Sequence, residues 1–382
     1  MSNQKNILIL TSQTGGGHIS LAEALRDLLE SGMQAEDSKN IKNPTITIVD
    51  PQPAFFHLHY RMVSRYALSL WAAEFRFLDT PGRALLAHLL FTQLVCQRLN
   101  TLLDQVQPDL IITTYPFLSF EIRHVMEQRS STVPLIMLFS DANSVHAAWL
   151  TERRANATFA TTRETYEQAL ATGFAPERLH LVGWPVRAQF FRTDLSNQER
   201  RRKTLTHLNL VPNRFTIFLQ GGSEGAAHVD RTITNVLALS TISNEFQVIL
   251  ATGTNHNLLN RYKNVPNFAT LPHTKEIAPY MSAADIIMGK AGPNILFESV
   301  MLGKPFIATT YIPGQEQQNL SFIQRHGLGW VATRREEQHS LLTTLIHNSD
   351  QLNAISATIN TYRQWNITAN HQIVPLIRLL IP

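Results

Sequence analysis

Between Gly289 and Asn319 the chain reads GKAGPNILFESVMLGKPFIATTYIPGQEQQN, and much of its usable chemistry is concentrated there. An apolar run, Ile286-Ile287-Met288, reads as a buried strand that breaks at Gly289-Lys290-Ala291-Gly292. Pro293 suits the first turn of a helix, where its missing N–H would have been unpaired anyway. The helix is predicted over Asn294–Leu302, stopped by Gly303 and by Lys304-Pro305. Such a strand-loop-helix unit aims free N–H groups and a positive helix end at a phosphate. Glu298, just over one turn inside, is placed to accept hydrogen bonds from a ribose diol. A second strand, Phe306-Ile307-Ala308, leads to Ile312-Pro313-Gly314 and then to Gln315, Glu316, Gln317, Gln318 and Asn319, side chains suited to sugar hydroxyls. The same pattern also fits an α/β edge with a solvated polar helix start, and spacing alone does not choose between them.

Three further groups stand at predicted strand ends. The loop Thr14-Gly15-Gly16-Gly17-His18 contains a G-x-G-x-x-Ser match, but Asp50 comes too late for the acidic residue of a dinucleotide site. His18 sits where loop becomes helix, and an imidazole is the side chain best suited to take a proton from an alcohol near neutral pH. A local hydrogen-bonding role is the alternative. Asp141 lies in Ser140–His146 after the strand Leu135–Phe139, and Arg187 closes Gly183-Trp184-Pro185-Val186-Arg187 after the strand Leu179–Val182. Open α/β sheets bind ligands at such carboxyl ends.

The elements that must carry these residues repeat. Residues 6–30 read as strand (Asn6–Leu10), glycine loop and amphipathic helix (Ser20–Leu29). Residues 214–239 repeat the plan, with strand Phe215–Leu219, a loop holding Gly221, Gly222 and Ser223, and a helix to Leu239. Strands Thr45–Val49 and Leu110–Thr113 follow in the first half, and Phe246–Ala251, Asp285–Met288 and Phe306–Thr309 in the second. Alternation of this kind predicts parallel sheets covered by helices on both faces. The expected fold class is α/β: two Rossmann-like, doubly wound domains, residues 1–195 and 204–382, facing each other across a cleft. Their join falls in the polar segment from Phe191 to Lys203, where Arg200–Lys203 reads as a solvated linker or helix face.

A long insertion, Ala54 to Leu103, has a different character. It carries Phe55, Phe56, Tyr60, Tyr66 and Trp71 with Arg61, Arg65, Arg76, Arg83 and Arg98, and its acids are only Glu74 and Asp79. Leu85–Val95 is nearly all apolar. Aromatics, leucines and excess arginine describe a helix lying on a membrane surface. They equally describe a buried crossover helix pair.

Composition sets limits on all of this. The 382 residues are too many for one ordinary core. Hydrophobic residues at 44% with 16% charge describe a globular chain. The net charge of +4, from 33 basic and 29 acidic residues, is small and spread out, so nucleic acid is not implied. Cys96 is the only cysteine, which excludes an internal disulfide and multi-cysteine zinc sites and fits a reducing cytoplasm. No signal peptide is expected from Ile7–Leu10, and no apolar run approaches the ~20 residues of a membrane helix.

Six motifs in one order, TGGGH (14–18), D-x-x-x-x-H-x-x-W (141–149), G-x-P-V-R (183–187), GGSEGA (221–226), KAGP…E (290–298) and PGQEQQN (313–319), carry a resemblance. The sequence resembles glycosyltransferase family 28, the monogalactosyldiacylglycerol synthases and bacterial diacylglycerol glucosyltransferases. The lipid-linked N-acetylglucosaminyltransferase of peptidoglycan synthesis is a more distant relative. The resemblance implies a GT-B fold with the acceptor on the N-terminal domain and a UDP-sugar on the C-terminal one. It implies an inverting transfer of a hexosyl group to a lipid hydroxyl, such as that of diacylglycerol. By motif, His18 would be the general base, with Asp141 the second catalytic candidate, and Glu298 the ribose ligand. Arg187, Gly221, Gly222 and Ser223 would meet the diphosphate, Gln317 and Gln318 the sugar, and Lys290, Gly292, Gln315 and Glu316 the rest of the donor. The segment Leu271–Met281 would hold the uracil.

Phe55, Phe56, Arg61, Arg65 and Trp71 are expected at the acceptor and membrane side, on the inner, cytoplasmic face of a membrane with anionic lipids. No Asp-x-Asp motif occurs, so no metal or other cofactor is expected. The sequence departs from the family pattern at Asn294 and Ile295, where glycine and threonine usually follow KAGP. It departs also at Ile19 and at Gln317-Gln318, where Glu-Gly is common. A nicotinamide-dependent oxidoreductase would explain the glycine loops but neither Glu298 nor PGQEQQN. A non-catalytic nucleotide- or lipid-binding relative is the other alternative, motivated by Ile295.

Overall fold

The computed structural model describes residues 4–14, 16–36, 44–220, 229–240 and 245–381. Its strands form where β-branched and leucine residues run consecutively. Ile7, Leu8, Ile9 and Leu10 are fully buried, as parallel strands covered on both faces must be. Six strands, β1 (Asn6–Leu10), β2 (Thr45–Val49), β3 (Leu110–Thr113), β4 (Leu135–Leu138), β5 (Ala157–Ala160) and β6 (Leu179–Leu181), make one sheet in the order β2-β1-β3-β4-β5-β6. Six more, β7 (Phe215–Gln220), β8 (Phe246–Gly253), β9 (Phe268–Pro272), β10 (Ile286–Lys290), β11 (Phe306–Thr310) and β12 (Gly329–Val331), make a second in the order β12-β11-β10-β7-β8-β9. Every pairing is parallel.

Each order reverses once, between β1 and β3 in the first sheet and between β7 and β10 in the second. Where winding reverses, the two flanking loops run apart and leave a crevice at the carboxyl ends of the strands. The loops after β1 and β3, and those after β7 and β10, are therefore the places where this fold offers a ligand room.

The chain divides into two compact units. One holds Met1–Tyr60, Ala73–Arg187 and Trp365–Pro382, the other Arg61–Ala72 and Ala188–Gln364. The main change of unit thus comes at Arg187/Ala188, ahead of the polar segment favoured by composition, and the end of the helix Ser349–Asn370 and the last helix, Ile373–Leu380, belong with the first unit. The basic run at 200–203 also differs from a purely solvated face. It lies on the helix Gln198–His207, and Arg201 turns inward to hold Asp285 with two hydrogen bonds of 3.0 Å. Asp285 needs that cation because it also caps the start of β7 through the Thr216 N–H at 2.7 Å.

The insertion is three helices, Ala54–Tyr66, Leu68–Leu78 and Pro81–Val106. On the longest, Phe91, Val95, Leu99 and Leu103 join the core of the first sheet. Leu85, Leu86, Leu89, Leu90 and Leu94, at i, i+1, i+4, i+5 and i+9, lie on the opposite side, and all are exposed. The helix is thus both a core crossover and the bearer of an exposed leucine face.

Candidate active site

His18 lies in the first turn of the helix Gly17–Glu36, just past the loop that follows β1. Its Nδ1 is 2.9 Å from the carbonyl of Thr114, the first residue after β3. A carbonyl only accepts, so Nδ1 carries the proton and Nε2 keeps its lone pair. Burial pushes the imidazole down to about 4, against the opposing pull of that hydrogen bond, so the ring is neutral near pH 7. The Tyr115 ring packs edge-on against it, centroids 4.9 Å apart at 82°. The Tyr115 hydroxyl is hydrogen-bonded by Thr14 and Gln52, and burial, with the Asp50 charge, holds the phenol neutral well above its usual range. Asp50 is anchored in turn, accepting from the N–H groups of Gln13 and Gln52 at 2.6 and 2.9 Å. A neutral imidazole with a free lone pair, at the point where the first sheet reverses, can take a proton from a bound alcohol. Tyr115 and Gln52 escaped the sequence reading, which weighed Asp50 only as a dinucleotide ligand and set it aside; the only signal for Tyr115 was its place just beyond a strand.

Asp141 is set elsewhere on the same unit. Its carboxylate accepts from the His146 N–H at 3.3 Å, and burial, helped by the charge of Asp79, pushes it up to about 7. His146 accepts from the Ala148 N–H at Nδ1, 3.1 Å, so its Nε2–H faces the Phe75 carbonyl at 3.2 Å. Asp79 accepts from the Ala147 N–H at 2.8 Å. Beneath this loop the buried His88 meets Glu121 at 2.7 Å and the Ala148 carbonyl at 3.0 Å. The D-x-x-x-x-H-x-x-W segment is therefore fastened to the insertion by three side chains, Asp79, His88 and His146. No hydrogen bond joins Asp141 to His18 among the described residues.

In the second unit, β10 ends at Lys290 and the helix Pro293–Met301 follows, close to the range the sequence predicts. Glu298 is buried at 7% exposure inside it. Ile295 turns inward, its Cδ1 about where a side chain on Gly289 would reach (3.4 Å). Lys290 Nζ donates to Glu316, whose other oxygen accepts from the Ile312 N–H at 2.9 Å. Asn319 donates to the Ala291 carbonyl at 2.9 Å. Two residues of the polar run thus tie the loops after β10 and β11 together instead of pointing away. A Cβ at Gly292 would stand 3.3 Å from Lys290 Nζ, so a side chain there would push on the end of that lysine.

Of the rest of the run, Gln317 and Gln318 are exposed on the helix Gln317–Arg325, and Gln315 is half-buried with its Oε1 lacking a partner among the described residues. Leu271–Met281 spans the end of β9 and the short helix Ala278–Ser282. Gly221, Gly222 and Ser223 lie outside the described residues, as does Gly15.

Arg187 ends the first unit's central segment and is half-buried. Among the insertion residues, Phe55 is 54% exposed and Arg61 is exposed, whereas Arg65 and Trp71 are half-buried. Phe56 turns inward, its ring 4.9 Å from that of Phe91 on the core. The exposed leucines of Pro81–Val106 add to an exposed apolar set that also includes Leu58, Met62, Tyr66, Leu70 and Phe77.

Two doubly wound parallel sheets with these strand orders define a GT-B architecture, and the calicheamicin glycosyltransferase CalG4 shares it: TM-score 0.62, 12% identity, covering 99% of this chain and 98% of that one. The family model for monogalactosyldiacylglycerol (MGDG) synthase matches residues 18–186, and that for the glycosyltransferase family 28 C-terminal domain matches residues 216–361. The chain belongs to glycosyltransferase family 28. It is 27% identical to monogalactosyldiacylglycerol synthase 3, chloroplastic, of Arabidopsis thaliana, over 92% of this chain and 77% of that protein. It is 24% identical to the processive diacylglycerol beta-glucosyltransferase of Bacillus licheniformis, over 94% and 92%.

Proposed function

We propose that this protein transfers a hexosyl group from a UDP-sugar to the free hydroxyl of diacylglycerol, with inversion at the anomeric carbon. The observation that carries the reading is the neutral His18, held by the Thr114 carbonyl with its Nε2 lone pair open to a hydroxyl proton. The acceptor oxygen attacks the anomeric carbon, the bond from that carbon to the UDP oxygen breaks, and the hydroxyl proton passes to Nε2. N–H groups opening the helix Pro293–Met301 suit the diphosphate, and Glu298 suits the ribose. Arg187, Gly222 and Ser223 at the diphosphate, Gln317 and Gln318 at the sugar, and Leu271–Met281 at the uracil are assigned on the family motifs alone. Cations and N–H dipoles on the chain supply the charge that the leaving group needs, so the transfer is proposed as metal-independent.

The acceptor is reached from a membrane surface. Among the described residues no helix is long and apolar enough to cross a membrane. The leucine face, with Leu86 and Leu90 at 58% and 59% exposure, is apolar surface of the kind that marks membrane or partner contacts. Arg83, stacked 4.4 Å over Phe77 at the start of the same helix, and Arg76 and Arg61 suit anionic headgroups on the inner leaflet. The deciding experiment incubates the protein with a panel of UDP-sugars and diacylglycerol in vesicles, identifies products by mass spectrometry and reads the new glycosidic bond by NMR. A hexosyl-diacylglycerol of β configuration from an α-linked donor is expected. Donor hydrolysis without glycolipid, or retention, overturns the reading.

A further inference from the structure

Beside His18 lies a buried donor that the transfer so far described does not use. Gln52, 5% exposed, is fixed through its backbone N–H to Asp50 at 2.9 Å, and its side chain meets the Tyr115 hydroxyl. Its Nε2 has no hydrogen-bond partner among the described residues. A buried amide N–H left unmade is costly, and native proteins leave few such groups without a reason. The surroundings restrict what completes it. Asp50 stands next to it, so an anion is repelled. The Tyr115 ring joins the site to His18, which receives a proton from a hydroxyl. The occupant is thus neutral and carries a hydroxyl and, a few bonds away, an uncharged hydrogen-bond acceptor.

A row of packed rings connects the surface to this site. Rings run from the exposed Phe55 to Phe56 at 4.2 Å, Phe91 at 4.9 Å, Phe117 at 6.1 Å and Tyr115 at 6.2 Å, each distance taken from the preceding ring. We propose that Gln52 is an acceptor-specificity residue, its Nε2–H donating to the ester carbonyl that neighbours the reacting hydroxyl of a glycerolipid. Tyr115 acts as its positioning residue, its hydroxyl meeting the Gln52 side chain and so limiting where the amide can turn. This rests on the diacylglycerol transferase reading above and names the recognition at that same site.

The test compares a diester acceptor, 1,2-diacylglycerol, with its diether counterpart, 1,2-dialkylglycerol, which keeps the hydroxyl and chains and lacks the carbonyl. With saturating UDP-sugar, the wild-type protein should favour the diester in kcat/KM by about tenfold, the range of one neutral hydrogen bond. In Gln52→Met, similar in length and without a donor, that preference should largely vanish, through the acceptor's KM. Gln52→Leu, uncharged and also without a donor, should lose it too, and an unchanged thermal midpoint in either variant guards against poor folding. A preference unchanged in either folded variant overturns the proposal. If the wild-type protein turns over neither lipid, the transferase reading itself falls, and this inference with it; turnover with no difference between the lipids sinks the inference alone.

Discussion

The Thr114 carbonyl accepts the Nδ1 proton of His18 at 2.9 Å, and this one hydrogen bond fixes which imidazole nitrogen is basic. It joins the loops after β1 and β3, the two strands between which the sheet reverses. His18→Ala is expected to cut kcat by about 10²–10⁴ while leaving UDP binding close to wild type. Single-turnover kinetics with a UDP-binding assay check both halves.

The pH profile separates His18 from Asp141. A base must be deprotonated, so activity falls as pH drops through its pKa. With His18 at about 4, kcat/KM should stay flat from pH 8 to about 5; with Asp141 at about 7 as the base, it would already fall between pH 7.5 and 6. A limb near pH 7 that disappears in Asp141→Asn would reassign the role.

Lys290 and Glu316 should act as a pair. Glu316→Gln leaves Lys290 without its counter-charge and frees the loop after β11. For a wholly buried pair, removing one partner costs about 3–5 kcal/mol. Lys290 keeps 23% side-chain exposure, so about 1–3 kcal/mol is expected. Thermal unfolding checks the loss, and, if the proposed donor site is built on the loops tied together, the donor KM should rise more than the acceptor KM. Equal effects on both would argue against the assignment.

The leucine face should be separable from the chemistry. Leu86→Glu with Leu90→Glu changes exposed positions, so stability should move by no more than about 0.5 kcal/mol each. Sedimentation with vesicles should weaken by roughly tenfold or more, from the loss of partly buried leucine area and the added charge near anionic lipid. Turnover of a short-chain acceptor dispersed without vesicles should survive. Vesicle binding that resists the double change would move the docking surface elsewhere.

Glu121 makes a pH-linked stability prediction. Burial lifts its carboxyl to about 7 in the folded protein, from 4.5 when unfolded. Between those values the folded state binds more protons, so this group's contribution to stability falls as pH rises from about 4.5 to 7. Glu121→Gln removes the proton linkage while keeping a partner for His88. Relative to wild type, the variant should gain of order 1–3 kcal/mol between pH 5 and pH 8. Denaturant unfolding at the two pH values reads the difference, and an unchanged gap would mean that Glu121 does not titrate in this window.

Much of the fold was legible because its cues are local. Runs such as Ile7–Leu10 can only be strands covered on both faces, and Pro293 with Gly303 brackets a helix on chemistry alone. Glu298 was legible for the same reason, its position following from one turn of that helix. What stayed hidden needed partners far apart in sequence: His18 and Thr114 are 96 residues apart, Lys290 and Glu316 26. Lys290 and Glu316 could be marked as polar residues near a donor, but not as each other's counter-charge. The insertion stayed ambiguous because composition cannot say which side of a helix faces out. Phe56 and Phe91 point to the core while Leu86 and Leu90 do not. Arg201 was misjudged because a basic run looks solvated until a half-buried Asp285, 84 residues away, appears beneath it.

The last helices add a consequence for how the chain is made. Asn366 accepts from the Trp184 N–H at 2.7 Å and donates to its carbonyl at 3.0 Å, and Asn370 donates to the Val182 carbonyl at 2.8 Å. Gly183 has φ +73 between them, and any Cβ there would stand 2.8 Å from the Asn370 amide. Arg378 reaches the Gly32 carbonyl at 3.1 Å, on the first helix. The unit whose synthesis begins first is therefore the one finished last. While the ribosome is still adding the second sheet, the Val182–Trp184 backbone waits with open hydrogen-bonding groups, and the second unit, contiguous but for Arg61–Ala72, has its main segment complete at Gln364. A nascent chain arrested before Trp365 would thus hold the main segment of the second unit and an unfinished first one, and a protein cut in two near residue 195 would strand Asn366 and Asn370 on the wrong piece.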